Sequence, residues 1–170
     1  MISEKKQGLY RESFEHDACG VGYICDIKGK KSHQIVSDAL TILENMEHRG
    51  ACGCDPDSGD GAGLLVQIPH DFFVSECSKL SVNLPKAGDY GVGMLFFPKK
   101  LTVKEACRKA ILKAAEKSGI KILGFRKVPV VTAGIGETAL SMEPDMEQLF
   151  VARPEHLINP DDFERKLYVF

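Results

Sequence analysis

"EHDACGVGYICD", residues 15–26, sets a cysteine at the border between a charged tail and a glycine-spaced apolar run. The residues before Cys19, "MISEKKQGLYRESFEHDA", carry no pattern of a core element, whereas "GVGYICDI" from Gly20 to Ile27 is short, β-favouring and interrupted by glycines. It reads as a strand that begins close to other backbone. Two readings of Cys19 follow. It is either an ordinary strand residue after a frayed terminus, or it becomes the N-terminus itself once the bond after Ala18 is cut. In the second case its own α-amine, with an ordinary pKa near 8, stands within reach as a base. Small residues after the nucleophile, here Gly20 and Gly22, would let substrate approach the backbone.

Downstream of that run, "DIKGKK" supplies a turn. Ile35, Val36, Ala39, Leu40, Leu43 and Met46 then recur at helical spacing, which predicts a helix from about Ser32 to Glu47. His48 and Arg49 fill its last turn and Gly50 can end it. "GACGCDPDSGDGAG", residues 50–63, is a glycine- and aspartate-rich loop leading into "LLVQIP", which reads as a buried strand. "YGVGMLFFP" (90–98) is a further strand. Thr102 and Glu105 stand in capping-box relation before a helix running to Ser118 and closed by Gly119. "IKILGFRKVPVV" is an edge-like strand with Pro129 at its exit. "LSMEPDMEQLFVARP" predicts a short helix or an irregular segment and then a strand. Asn159 and Pro160 open a last helix through "DDFERK", after which "LYVF" reads as an apolar β run. There is no strict βαβ alternation, so the class expected is α+β in a single domain.

The glycine loop fails three familiar tests. No Lys-Ser or Lys-Thr follows it, as a phosphate-binding loop requires. Its order is helix, glycines, strand, the reverse of a dinucleotide fingerprint. As a calcium loop opening at Asp55 it puts Gly59 at position five, Asp60 at the glycine position and Val66 where a glutamate belongs. His48, Cys52 and Cys54 gather a nitrogen and two sulfurs, yet nothing completes a tetrahedral zinc set, so no metal is expected.

The chain has 170 residues, 22 basic and 24 acidic, and a net charge of −2. That balance offers no electrostatic footprint for nucleic acid. No apolar stretch has membrane-spanning length and the N-terminus lacks a signal-like apolar segment, so a cytoplasmic location without membrane contact is expected. In that compartment the six cysteines are thiols. Cys25, Cys77 and Cys107 read as small buried apolar groups.

"CGVGYICDIKGKKSH", "ALTILENMEHRGACGCDPDSGDGAGLLVQIPHDFF", "YGVGMLFFP" and "FERKLYVF" together resemble the N-terminal glutamine amidotransferase region of glutamate synthase large subunits. The resemblance runs from Cys19 to Phe170. It implies that residues 1–18 are a propeptide removed on maturation and that 19–170 is the N-terminal portion of a class II amidotransferase domain. The implied fold is the αββα sandwich of N-terminal nucleophile hydrolases. It further implies that Cys19 is the nucleophile that hydrolyses the side-chain amide of L-glutamine. The ammonia released would pass to a synthase region of the same chain that converts 2-oxoglutarate to glutamate. FMN and an iron–sulfur cluster, fed by NAD(P)H through an electron-donor subunit or by ferredoxin, are implied for that parent enzyme and not for this segment. Arg49 in "HRGACG" matches an arginine near the active site of the wider class; an arginine that caps helix carbonyls is the rival reading. Asp55, Asp57 and Asp60 are expected to fix the loop. The family's oxyanion-forming Asn-Gly pair and its groups for the substrate carboxylate and amine have no equivalent here, so an N-terminal fragment is expected. A non-catalytic remnant or interaction module is the alternative.

Overall fold

The computed structural model describes residues 20–50, 55 and 57–170. The chain divides into two units, Met1–Leu65 and Val66–Phe170.

In the first unit a turn precedes a single long helix. Asp26 Oδ1 accepts from the backbone N–H groups of Lys28 (2.8 Å) and Lys30 (3.1 Å) and so organises the expected turn. Helix α1, His33–Asn45, starts where Ser32 Oγ accepts from Ile35 N. It stops two residues earlier than the periodicity predicts. Met46 N is shared between the carbonyls of Ile42 and Leu43, both at 3.1 Å, and the chain tightens into a 3-10 turn, Glu47–Arg49. Gly50 N closes that turn on Glu47 O at 2.9 Å.

Two strands expected in this part of the sequence do not form. Residues 20–27 and 64–68 make no ladder, and Leu65 is fully exposed. Apolar, β-favouring composition states only a demand for burial; a strand also needs a partner backbone, and among the described residues none pairs with either run. Cys25 is correspondingly exposed, not buried.

The second unit is a three-stranded antiparallel sheet in the order β1-β3-β2 with helices on both faces. Helix α2, His70–Ser78, is an element that the sequence reading passed over. It opens on Pro69, whose carbonyl accepts from Phe73 N, and buries Phe73 and Cys77 one turn apart. Strands β1 (Tyr90–Phe97), β2 (Lys121–Lys127) and β3 (Asp145–Ala152) fall where they are predicted. Helix α3, Leu101–Ser118, ends on left-handed Gly119 as expected. Its start differs: Val103 and Lys104 both donate to Lys100 O, so Thr102 lies inside the first turn and caps nothing. The short α4, Glu137–Ser141, precedes β3.

The last helix, α5, spans Pro160–Val169 and absorbs the run read as a strand. Asn159 caps it through Asp161 N, and Phe163, Leu167 and Phe170 then recur at intervals of four and three. Leu167 and Phe170 pack on the sheet while Tyr168 and Val169 face solvent, the pattern of period 3.6 and not of period two.

Sheet parity sorts the core. Phe150 and Tyr90 meet Phe73 and Cys77 of α2 on one face. Leu149, Val151 and Ile120 lie on the other, with Ile111, Leu167 and Phe170 against them. In β2 the pairing steps from Ile122↔Val151 directly to Gly124↔Phe150. Leu123 is thus the extra residue of a bulge, which lets Ile122 and Phe125 share a face although three positions apart.

Charged side chains bolt the helices to this sheet. Glu147, buried on β3, is held by both Lys104 and Arg108 of α3, and Lys104 also reaches Asp145. Burial pushes the Glu147 carboxyl up, but the hydrogen bonds from Lys104 and Arg108 outweigh it and leave it below its ordinary value. On the opposite face the buried Arg126 donates to Gln148 Oε1 at 2.9 Å and to Glu76 Oε2 at 3.0 Å. No described helix is long and apolar enough to cross a membrane.

Candidate functional site

Cys19, the residues of the expected propeptide, Cys52 and Cys54 lie outside the described residues. What is described is the ground around them. The peptide that follows Cys19 lies on α1 and on the turn after it. A Cβ placed on Gly20 would meet Met46 Sδ at 3.1 Å and the Arg49 stem at 3.3 Å. A Cβ on Gly22 would overlap the Ile42 Cγ2 methyl. Val21 and Tyr23 point the other way and are 89% and 91% exposed. Every second residue thus faces the helix, the alternation of an extended chain.

Arg49, at the end of the 3-10 turn, has its aliphatic stem against the residue covalently next to Cys19. Beside it, His48 Nδ1 donates to Asn45 O at 3.1 Å.

The aspartates of the loop act on the loop, as expected for Asp55. Its Oδ1 accepts from Asp57 N at 3.1 Å, its Oδ2 from Ser58 Oγ at 2.9 Å, and its carbonyl from Ser58 N. Those bonds carry Ser58 into a buried position. Among the described residues no three His, Cys, Asp or Glu side chains are gathered as a metal would require.

In the second unit an open hollow of about 570 Å³ lies beside Asn83, Leu123 and Arg153. Its arginine is already paired with Asp89 at 2.9 Å. Cys77, on the buried face of α2 and outside the lining of that hollow, is pushed up from its ordinary value by burial, away from the thiolate a nucleophile needs.

The sequence reading had named Cys19 and Arg49 but had missed the glycine-to-helix contact between their neighbourhoods. The spacing Gly-x-Gly against Ile42 and Met46, four apart on one helix face, was the available signal.

The family described as glutamine amidotransferases class-II matches residues 19–170, and the chain belongs to that family. It is 48% identical over 165 residues to the NADPH glutamate synthase large chain of Bacillus subtilis, covering 97% of this chain and 11% of that one. It is 42% identical to the NADH glutamate synthase of Schizosaccharomyces pombe, over 97% of this chain and 8% of the relative. The ferredoxin-dependent glutamate synthase 2 of Arabidopsis thaliana chloroplasts is also 42% identical, over 97% and 10%. The chain thus spans about a tenth of the length of the curated relatives it matches.

Proposed function

We propose that this chain is the nucleophile-bearing part of a glutaminase domain that supplies ammonia within a glutamate synthase. The observation that carries the reading is where the family match starts: it begins at Cys19, and residues 1–18 lie outside it. That boundary supports a propeptide of 18 residues and a mature N-terminus at Cys19. In this reading the mature domain adopts the αββα sandwich of N-terminal nucleophile hydrolases, works in the cytoplasm and takes L-glutamine as substrate.

The chemistry follows from an N-terminal thiol. The α-amine takes the proton from Cys19 Sγ, and the thiolate attacks the carboxamide carbon of glutamine. The C–N bond breaks, the departing nitrogen takes that proton from the α-ammonium, and ammonia leaves behind a γ-glutamyl thioester. Water, deprotonated by the same amine, attacks the thioester carbon; glutamate departs and the thiol is restored. In this reading Arg49, whose stem lies against Gly20, meets the charged end of glutamine. The reductive conversion of 2-oxoglutarate, with its FMN, its cluster and its NAD(P)H or ferredoxin donor, belongs to the remaining nine-tenths of such a parent chain.

N-terminal sequencing and activity of the full parent protein test this together. Cys19 should be the first residue, and Cys19→Ala should abolish glutamine-dependent synthesis while sparing the reaction driven by added ammonia. Arg49→Lys should raise KM for glutamine about tenfold or more with a smaller change in kcat. A fully active enzyme that begins at Met1 overturns the reading, because a peptide nitrogen cannot serve as the base.

A further inference from the structure

Gly20 and Gly22 meet α1 in register. Alternate residues of an extended chain are about 6.5 Å apart, and residues four apart on a helix rise about 6 Å. Two glycines one rung apart therefore match Met46 and Ile42 one turn apart, with the chain running antiparallel to α1. Both contacts are backbone against side chain, and at Gly22 there is no room for even one methyl group beside the Ile42 branch. A segment held this closely resists a one-residue slide, which would present Val21 or Tyr23 to Ile42 in place of Gly22. We propose that Gly22 and Ile42 form a positioning seat that fixes the register of the chain after Cys19 on α1, and that the reactivity of Cys19 depends on this register. This deepens the glutaminase reading and rests on it.

The seat makes a demand that a purely structural glycine would not. Its two members must be complementary in shape, and their disturbance must reach the reactivity of Cys19 before it reaches substrate affinity. Misplacement of a reacting atom by about 1 Å can cost on the order of a hundredfold in rate. Gly22→Ala in the full parent protein should accordingly lower glutamine-dependent kcat, and the rate at which a glutamine-analogue chloroketone labels Cys19, by at least tenfold. KM for glutamine and the ammonia-dependent rate should hold. Adding Ile42→Leu, which keeps the volume but removes the Cγ2 branch, should restore most of both rates. Ile42→Ala alone, on a half-buried helix position, leaves a gap in place of a clash and should slow labelling too; it serves if Gly22→Ala does not accumulate.

Wild-type labelling in Gly22→Ala or in Ile42→Ala overturns the seat. So does a double variant no faster than Gly22→Ala, since shape complementarity is then not the cause. Loss of activity in Cys19→Ala beside normal kcat in Gly22→Ala removes the seat and leaves the nucleophile. Activity in Cys19→Ala removes both.

Discussion

Arg126 of β2 and Glu76 of α2, fifty residues apart, are joined by a 3.0 Å ion pair across one face of the sheet. Arg126 lies over the Phe72 ring and also donates to Gln148, so one guanidinium ties helix, edge strand and central strand. Glu76 keeps a second partner in Lys79, which with Arg126 holds its carboxyl below the ordinary value. Arg126→Met should therefore destabilise the 170-residue chain by about 2 kcal/mol, chiefly through the unpaired Gln148 and lost charge pairing. In a double-mutant cycle with Glu76→Gln, urea unfolding should return a favourable coupling between the two positions. Strict additivity would mean that the pair contributes nothing.

The Glu147 cluster sets a pH window. Glu147 and Asp145 are lowered from 4.5 and 3.8, so the stability they contribute is present above those values and lost as pH falls through the lower folded ones. Lys104 is raised from 10.5 by Asp145 and then Glu147, so its share is present below that value and lost at higher pH. Thermal unfolding should be flat between about pH 5 and 8, should fall away below about pH 4, and should also decline above about pH 9, where the unfolded chain ionises the Cys77 thiol that burial keeps protonated. Glu147→Gln should remove much of the acid limb and cost on the order of 2 kcal/mol at neutral pH. That is less than the ~3–5 kcal/mol of a fully buried pair, because Arg108 is 39% exposed.

The helical reading of the last residues separates from the strand reading at two positions. In a strand Leu167 and Val169 would share a face and be equally sensitive. In α5 Leu167 packs on the sheet and Val169 is solvent-exposed. Leu167→Ser should destabilise by roughly 2 kcal/mol and Val169→Ser by less than about 0.5 kcal/mol. Equal effects would restore the strand.

Thiol accessibility should rank the described cysteines. Iodoacetamide should modify exposed Cys25 first, Cys107 more slowly and buried Cys77 only on unfolding, as read by mass spectrometry over time. Rapid modification of Cys77 in folded protein would mean that α2 does not seal it.

These outcomes bear on what a sequence can state about itself. Elements that carry their own signals were legible: α1 through Ser32, α3 through Gly119, α5 through Asn159 and Pro160. The three strands of the second unit were legible because each is a compact β-favouring run bounded by turn residues. "GVGYICDI" and "LLVQIP" offered the same composition but found no ladder among the described residues, since composition does not name a partner. α2 was hidden by its weak amphipathicity; only Phe73 and Cys77 mark its buried face. "LYVF" misled because four apolar residues are too few to distinguish period two from 3.6 without the preceding Phe163. At the site, Cys19 and Arg49 were legible as residue types in a motif. The nearness of Gly20 to Arg49 is a tertiary fact that no spacing along the chain displays.

The bulge in β2 determines where this chain can change length. With Leu123 present, Ile122 pairs with Val151 and Gly124 with Phe150, so β3 already counts those two residues as neighbours. Removing Leu123 joins Ile122 to Gly124 and leaves every other pair of the ladder as it is, with Ile122 and Phe125 still on one face. A deletion at Phe125 instead would move each residue on one side of it to the wrong face. A one-residue deletion in β2 should thus be survivable at 123, at the loss of one side chain's packing, and ruinous two residues later.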